Sequence, residues 1–333
     1  MNQLILAVPS KGRLEESASA LFTKAGIALK RASARGYTGS VKGIENIDVQ
    51  YLSASEIAAR LADGSIHFGI TGEDLLREEV PDLDSAVQLV LGLGFGRADV
   101  VVAIPDGWVD VRNMADLAEV AAEFRAKHAK RLRVATKYTN LTADFFAEHG
   151  VTDYKLVESF GATEAAPNSG AAEAIVDITS TGATLVANQL RIPDDGVMLK
   201  SQANLAASLK ANWDETARVA SKRLLSRLAA YNRAQDLVHV TLSSPSGMAE
   251  PTSLKGEGLA ALVNDYGAVE DHHFAGATST GGNFYGFQLP LKNQGDFIEA
   301  MLQKGFSQAS VSKLDFVYES RNALYERLLG AVL

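Results

Sequence analysis

The 333-residue chain has no cysteine, no excess of basic residues and no long apolar run, and each shortage excludes a class of protein. Without cysteine there are no disulfides, no thiolate zinc sites and no cysteine nucleophile. A net charge of −8 argues against a broad nucleic-acid-binding surface. No apolar run approaches the roughly 20 residues of a membrane span. The first residues lack the basic leader of a signal peptide, so we expect a first strand there and a cytoplasmic protein.

Strand-like and helix-like segments alternate over the first two-thirds of the chain, which is typical of an α/β architecture with a largely parallel sheet. The glycine-rich segment from Gly92 to Gly96 lacks the spacing of a dinucleotide site, and we interpret it as a crossing between two α/β lobes. The segment from Leu185 onward is predicted to begin the return crossing. Two lobes joined by two crossings, as in periplasmic binding proteins, leave a cleft where polar loops can face a ligand.

The last third of the chain has a different pattern. Strands are predicted at 237–242, 270–274, 284–289 and 309–318, with helices at 254–266 and 294–304. This βαββαβ order predicts a small ferredoxin-like module. The predicted domains are lobe I (1–96 with 186–212), lobe II (97–185), a connecting helix (213–236) and a C-terminal domain (237–333).

One stretch carries the strongest chemical signal: a buried strand that ends in Asp177, followed by a loop of hydroxyl residues from Thr179 to Thr184. Gly182 lets the backbone approach an anion closely, and the amides and hydroxyls of such a loop donate to phosphate oxygens. Asp177 suits ribose hydroxyls or a bridging Mg²⁺. The acid and the loop together predict a sugar-phosphate site that fits phosphoribosyl pyrophosphate best. The alternative is an ordinary turn rich in threonine, serine and glycine.

The spacing of these residues resembles the ATP phosphoribosyltransferase family. The matching positions are Glu164, Gly170, Ala172, Ile175, Asp177, Thr181, Gly182, Thr184 and Leu185. Further segments that resemble the family are Lys11 to Leu14, Phe68 to Asp74, Leu93 to Gly96 and Ala135 to Leu141. The C-terminal third is similar to the long form of the family in its length and its βαββαβ pattern. The chain departs from the family at Thr139, at Arg97-Ala98, and in extra length within 114–130 and after Ser320.

The resemblance implies a transferase that joins ATP to phosphoribosyl pyrophosphate in the first step of histidine biosynthesis. Adenine N1 would attack C1 of the ribose through an oxocarbenium-like transition state, with pyrophosphate leaving. N1 carries a free lone pair, so the reaction needs alignment and charge stabilisation rather than a strong general base. Mg²⁺ on the pyrophosphate is the implied cofactor, with no metal site built by the protein alone. The long form implies a regulatory C-terminal domain inhibited by histidine, and a homo-oligomer, a hexamer in the family.

The implied site residues form two groups. Those assigned to phosphoribosyl pyrophosphate are Asp177 and Glu164 on the ribose hydroxyls, Thr181, Gly182, Ala183 and Thr184 on the 5′-phosphate, and Thr179 and Ser180 on the rim. Those assigned to ATP are Lys11, Gly12, Arg13, Leu14, Gly72, Asp74, Lys137 and Tyr138. Asp74 could instead be a helix-start acid that stabilises the helix dipole. Lys11 and Arg13 could be solvated residues at a strand end.

Two other classes of protein remain open from the sequence: a bilobal ligand-binding protein, and an inactive regulatory subunit of a transferase complex. The missing export signal and the residues from Asp177 to Thr184 argue against the first. The intact Asp177, Gly182 and basic turn at Lys11 argue against the second. A salvage phosphoribosyltransferase would usually carry two adjacent acids before its loop, whereas here Asp177 stands alone after Val176.

Overall fold

A computed structural model describes residues 3–33, 36–159, 161–245, 257–277 and 282–332. The chain divides into two compact units. Unit 1 comprises Met1–Thr23, Ala28–Ser221 and Glu326–Leu333, and unit 2 comprises Lys24–Ile27 and Lys222–Tyr325. None of the helices in the described part of the chain is long and apolar enough to span a membrane.

The described residues form strands and helices that alternate through unit 1 and continue into unit 2. The strands are β1 (Leu4–Pro9), β2 (Ala28–Arg31), β3 (Thr38–Lys42), β4 (Ile47–Leu52), β5 (Phe68–Gly72), β6 (Val87–Gly92), β7 (Ala98–Pro105), β8 (Leu132–Thr136), β9 (Tyr154–Glu158), β10 (Ala174–Thr179), β11 (Leu190–Arg191), β12 (Val197–Ser201), β13 (Ala203–Ser208), β14 (Leu237–Ser243), β15 (Val269–Ala277), β16 (Asn283–Pro290) and β17 (Gln308–Lys313). The helices are α1 (Gly12–Lys24), α2 (Ala54–Asp63), α3 (Glu73–Glu79), α4 (Leu83–Ala86), α5 (Met114–His128), α6 (Thr139–Glu148), α7 (Ala183–Ala187), α8 (Glu215–Gln235), α9 (Glu257–Asp265), α10 (Gln294–Gln303) and α11 (Ala323–Val332).

Local sequence signals set the helix ends. Ser53 caps α2 by accepting a hydrogen bond from the Glu56 amide, and Gly64 ends that helix in the left-handed conformation. Asn113 and Asp116 form a reciprocal capping box at the start of α5. These caps satisfy amide groups that a helix start otherwise leaves without partners.

The first sheet, in lobe I, has seven strands in the order β2-β3-β4-β1-β5-β13-β6. Strands β4, β1 and β5 run parallel, whereas β13 runs antiparallel between β5 and β6. Its core packs α2, α3 and α4 against the sheet through apolar residues such as Ile57, Leu61 and Leu76. The chain therefore leaves lobe I after β6 and returns to its sheet as β13.

The second sheet, in lobe II, has six strands in the order β11-β7-β10-β8-β9, with β12 also paired to β7. Strands β10, β8 and β9 are parallel, and β7 is antiparallel to β10. Both sheets are thus mixed, and the prediction of a largely parallel sheet is wrong. In the first sheet the antiparallel pairs come from the β2–β3 hairpin beside β4 and from β13 between β5 and β6. In the second sheet they come from β7, which is antiparallel to β10, β11 and β12.

The third sheet, in unit 2, is antiparallel with the order β15-β16-β14-β17. Together with α9 and α10 this is the βαββαβ ferredoxin-like arrangement, so the predicted fold class is confirmed. Its core includes Phe287, Phe297 and Met301. The predicted helix at 254–266 is described from Glu257 onward, and its first residues, 254–256, lie outside the described residues. The domain boundaries given from the sequence stay predictions. In the structure, lobe I is the first sheet with its helices, and lobe II is the second sheet with its helices, which includes β11 and β12.

His67 is a buried link between the start of β1 and the segment after β13. Its Nδ1 accepts a hydrogen bond from the Ile5 amide at 3.0 Å, so its Nε2 carries the proton and donates to the Asn212 carbonyl at 2.9 Å. The ring also packs edge-on against Trp213. Burial lowers the pKa of His67 from its ordinary 6.5.

We expect His67 to make the stability of the fold pH-dependent. The unfolded chain binds a proton near pH 6.5 and the folded protein only at lower pH, so the free energy of unfolding falls as pH drops below about 6.5. Urea unfolding of the wild type and a His67→Gln variant between pH 7.5 and 5.5 measures this. The variant should lose less stability over that range. A His128→Gln control, on an exposed residue, should keep the wild-type slope, and equal slopes in all three proteins would contradict the assignment.

Candidate active site

A cavity of about 660 Å³ lies within unit 1 where segments of both lobes meet. It is lined by the start of α1, the junction of β5 and α3, the crossing after β6, and the loop after β10. The lining residues are Arg13, Leu14, Ser17, Gly72, Asp74, Leu75, Phe95, Gly96, Arg97, Ala98, Lys137, Ile178, Thr179, Ser180, Thr181, Thr184 and Ala203. The lining therefore includes nine of the sixteen residues assigned to the two substrates from the sequence.

The hydroxyl loop leaves the end of β10 and turns at Gly182. This glycine has φ +74°, a left-handed conformation that favours glycine, and open space surrounds the place of its missing Cβ. Thr179 Oγ1 accepts a hydrogen bond from the Gly182 amide at 2.9 Å, which closes the turn. The following helix, α7, has only five residues. The ability of the loop to hold an anion thus depends on its own amides and hydroxyls, since α7 adds little.

Asp177 lies near the end of β10, half-buried, with its Oδ1 accepting from the Ile178 amide at 2.8 Å. Desolvation raises the pKa of Asp177, while the Ile178 hydrogen bond and the positive charge of Lys137 lower it and the negative charge of Glu164 raises it further. Asp177, Glu164 and Lys137 are therefore close enough to interact electrostatically. Lys137 lines the cavity, whereas neither Asp177 nor Glu164 is among the lining residues.

Asp74 is held at the cavity by two hydroxyl groups of lobe II. Tyr138 donates to Oδ2 at 2.7 Å and Ser201 Oγ donates to Oδ1 at 2.8 Å, leaving the residue 9 % exposed. A side chain at Gly72 would collide with the Asp74 carboxylate, which explains the glycine at this position. Tyr138, assigned to ATP from the sequence, has a fully buried side chain and is not among the residues that line the cavity, and its role toward ATP stays a prediction. Burial and the nearby Asp74 carboxylate raise its pKa, so the hydroxyl remains a donor.

Glu78 makes a second link from α3 to lobe II, and sequence reasoning missed it. Its carboxylate, 6 % exposed, accepts from the amides of Asn140 and Leu141 at 3.0 Å each, and from Thr139 Oγ1 at 3.2 Å. These groups form the first turn of α6, where a helix has free amides and partial positive charge. A buried carboxylate in lobe I thus caps a helix of lobe II.

Among the residues that the structure describes, three cations line the cavity: Arg13, Arg97 and Lys137. Lys11 and Gly12 precede them in the basic turn but do not line the cavity, and Lys11 is exposed. Arg31 anchors that turn from β2 by donating to the Ser10 carbonyl at 3.0 Å. Gly182 and Ala183, in the hydroxyl loop, also lie outside the lining.

Sequence reasoning assigned no ligand role to Phe95, Arg97 or Ser201, although Phe95 and Arg97 line the cavity and Ser201 holds Asp74. Phe95 stands within a segment that resembles the family, so a signal existed for it. Arg97 was noted only as a departure from the family pattern. Ser201 is an ordinary serine at the end of β12, and only the fold brings it to Asp74.

The two sheets and the cavity between their segments give a two-lobed α/β protein, and the hydroxyl loop and cations of the lining suit phosphorylated ligands. The family model described as ATP phosphoribosyltransferase matches residues 53–230, which is more than half of the chain. The chain belongs to the ATP phosphoribosyltransferase family, so the predicted family and enzyme class are confirmed.

Similar proteins agree with this family. An ATP phosphoribosyltransferase of Rhodopseudomonas palustris strain BisA53 is 49% identical over 325 residues, covering 97% of each chain. Another from Bradyrhizobium sp. strain ORS 278 is 49% identical over 332 residues, covering 98% of this chain and 97% of the relative. The ATP phosphoribosyl transferase (HisG:HisZ) complex from Thermotoga maritima is similar in fold, with a TM-score of 0.52 and 24% identity over 68% of this chain and 95% of that one.

We expect Tyr138→Phe to destabilise unit 1, because Asp74 then loses a buried hydrogen bond to its charged carboxylate. The cost should be about 1.5–3 kcal/mol in the free energy of unfolding. Urea denaturation followed by circular dichroism measures it. Tyr154→Phe is the matched control, since no hydroxyl hydrogen bond is found for Tyr154 within the described ranges. Equal stability of the two variants would contradict the role of the Tyr138 hydroxyl.

Proposed function

We propose that the protein transfers the phosphoribosyl group of phosphoribosyl pyrophosphate to N1 of ATP and releases pyrophosphate, the first step of histidine biosynthesis. The observation that carries this proposal is that the hydroxyl loop, Asp74 and the cations Arg13, Arg97 and Lys137 all line one cavity. Asp177 lies close enough to Lys137 of that lining to interact with its charge. Family membership supplies the identity of the two substrates.

In this proposal the phosphoribosyl group binds at the end of β10. Thr179, Ser180, Thr181 and Thr184 hold the 5′-phosphate with hydroxyl and amide donors, and the left-handed turn at Gly182 shapes the loop around it. Asp177 accepts from the ribose hydroxyls, with Glu164 beside it. Support for this placement comes from the raised pKa of Asp177: a desolvated carboxylate gains more from hydroxyl donors than a solvated one.

ATP occupies the side of the cavity formed by Arg13, Asp74 and Arg97 in our proposal. The two arginines neutralise phosphate oxygens of ATP or of the leaving pyrophosphate, for which a guanidinium offers a bidentate fork. Asp74 is fixed by Tyr138 and Ser201, so it presents a preset acceptor to the nucleotide. The residues would act by aligning N1 with C1 of the ribose and by stabilising charge, since the nucleophile needs no deprotonation.

Mg²⁺ is the cofactor we propose, carried by the pyrophosphate group. Among the described residues no three histidine or acidic side chains come together as a metal site. A site with few protein carboxylates fits Mg²⁺, because this ion usually keeps several waters and is held by substrate phosphates together with one or two carboxylates. Asp177 is the carboxylate that would help to position it. The ion would neutralise the pyrophosphate as it leaves.

The ferredoxin-like domain is the regulatory part in our proposal. The resemblance to the long form supports histidine as its ligand and a homo-oligomer, a hexamer, as its working state. Within the described ranges the four-stranded sheet of unit 2 leaves β15 and β17 at its edges, which such a module can use for contacts between subunits. A cytoplasmic location remains part of the same prediction.

The assay that tests the proposed function follows phosphoribosyl-ATP formation from ATP, phosphoribosyl pyrophosphate and Mg²⁺, with inorganic pyrophosphatase present to pull the equilibrium forward. Turnover supports the proposal, and histidine added to the same reaction tests the regulatory domain. Binding of phosphoribosyl pyrophosphate without turnover would point to another acceptor or a missing subunit. If phosphoribosyl pyrophosphate did not bind, the loop from Thr179 to Thr184 would be an ordinary turn and not a phosphate site.

We expect Asp177→Asn to lose activity and gain stability at neutral pH. The fold raises the pKa of Asp177 above 3.8, so the ionised form costs the folded protein stability once the pH rises above the unfolded pKa. Asparagine removes this cost but also removes the charge-assisted bonds to the ribose, which should lower kcat/KM at least about tenfold.

Urea unfolding at pH 7 and pH 3 checks the first effect, and the turnover assay checks the second. The stability advantage of the variant should disappear at pH 3, where both forms are neutral. Full activity in the variant would overturn the role of Asp177 on the ribose. Asp144→Asn, on α6 away from the cavity lining, is the control and should leave turnover unchanged.

A further inference from the structure

Strand β6 contains a β-bulge a few residues before the segment that lines the cavity. Its pairing with β13 joins Leu91 to Leu205 and Leu89 to Ala206, so the residue between them, Val90, has no partner in the register. Such an extra residue shifts the register of everything that follows it in the strand. A shift of one residue turns each following side chain to the opposite face. The bulge therefore determines which side chains of the crossing face the cavity.

The C-terminal helix α11 holds this bulge from outside the sheet. The Arg327 guanidinium donates a hydrogen bond to the Val90 carbonyl, and the Arg327 carbonyl accepts one from Gln88 Nε2 at 3.4 Å. Leu328 beside it is 1 % exposed, so the helix packs firmly. Asn322 caps the helix start by accepting from the amides of Leu324 and Tyr325. The residues of α11 from Glu326 on belong to the same compact unit as β6.

The crossing that follows β6 leads directly into the cavity. The Leu93 amide donates to the Ala203 carbonyl at 2.9 Å, and the Ala203 amide donates to the Phe95 carbonyl at 3.0 Å. The Gly94 amide donates to Gln202 Oε1 at 3.1 Å. These hydrogen bonds can form only when the crossing has the register that the bulge sets. Phe95, Gly96 and Arg97 then line the cavity.

We propose that Arg327 is a positioning residue of the active site: by holding the Val90 bulge it fixes the register of the crossing and so places Phe95 and Arg97 against ATP. This inference rests on the proposed function for its substrate. It assigns a role to the chain after Ser320, which is otherwise an extension beyond the ferredoxin-like module. Within the described ranges the hydrogen bonds of Arg327 go to Val90 and Gln88 of β6 and none goes to a residue that lines the cavity, so it would act through β6.

Two variants at this position separate a positioning role from a general loss of structure. Arg327→Gln shortens the side chain and removes its charge, leaving the carbonyl of a bulged residue without its donor. Arg327→Lys keeps a cation that can still donate to the Val90 carbonyl. The matched control is Arg227→Gln, which removes another guanidinium that donates to a main-chain carbonyl, that of Gly26 at 2.9 Å in unit 2.

The first measurement is hydrogen exchange by mass spectrometry on the full chain without substrates. In Arg327→Gln the amides of 90–96 should exchange about tenfold faster than in the wild type, as expected for the loss of a charge-assisted bond. Peptides from β1 and β4 should be unchanged. The lysine variant should exchange at a rate between the two, and Arg227→Gln should match the wild type.

The second measurement is steady-state kinetics of the same proteins. Arg327→Gln should raise the KM for ATP about tenfold with a smaller change in kcat, and Arg327→Lys should recover most of that loss. Unchanged exchange in 90–96, or faster exchange with an unchanged KM for ATP, would overturn the proposal. A wild type without turnover would overturn the proposed function alone, and ATP affinity measured by calorimetry on the same variants would then replace KM.

Discussion

The two lobes depend on the carboxylates of α3, a helix of seven residues in lobe I. Asp74 takes two hydroxyl donors from lobe II, and Glu78 caps the first turn of α6. Both acids are buried, so each would be costly to leave without partners. The lobes are thus joined by polar bonds with defined directions, and those bonds set the spacing of the cavity walls. An apolar contact of equal area would allow the lobes to slide.

The local placement of charged residues explains how an acidic chain can bind anionic substrates. Three cations reach the cavity from three separate segments: Arg13 after β1, Arg97 after β6 and Lys137 after β8. Close to Lys137 lies Asp177, and its desolvation together with the negative charge of Glu164 raises the pKa of Asp177. Hydroxyl donors at Asp177 would offset this desolvation, and the cations would offset the charge of phosphate groups. Net charge describes the surface as a whole, whereas binding depends on this local arrangement.

Local sequence signals predicted most of the fold and about half of the site. Strand-helix alternation, the βαββαβ order and the loop after Asp177 are short-range patterns, and each appears in the structure as expected. What failed was long-range. The direction of β13 depends on the path of the chain through lobe II. The burial of Tyr138 depends on Asp74, about sixty residues earlier in the chain. Glu78 contacts α6 only when both lobes have folded. No spacing within one segment encodes such contacts, which is why propensity and motif reasoning could not find them.

The place of β13 between β5 and β6 also dictates an order of events during synthesis. The strands of lobe II, from Ala98 to Ser201, are contiguous in the chain and can pair before β13 has been made. Until then β5 and β6 each expose an unpaired edge, a hazard for aggregation. With chain growth of about 5–20 residues per second, that exposure lasts on the order of ten seconds. Lobe II is therefore the part that can fold first on the ribosome, lobe I is completed around it, and α11 covers the outer edge of β6 last of all.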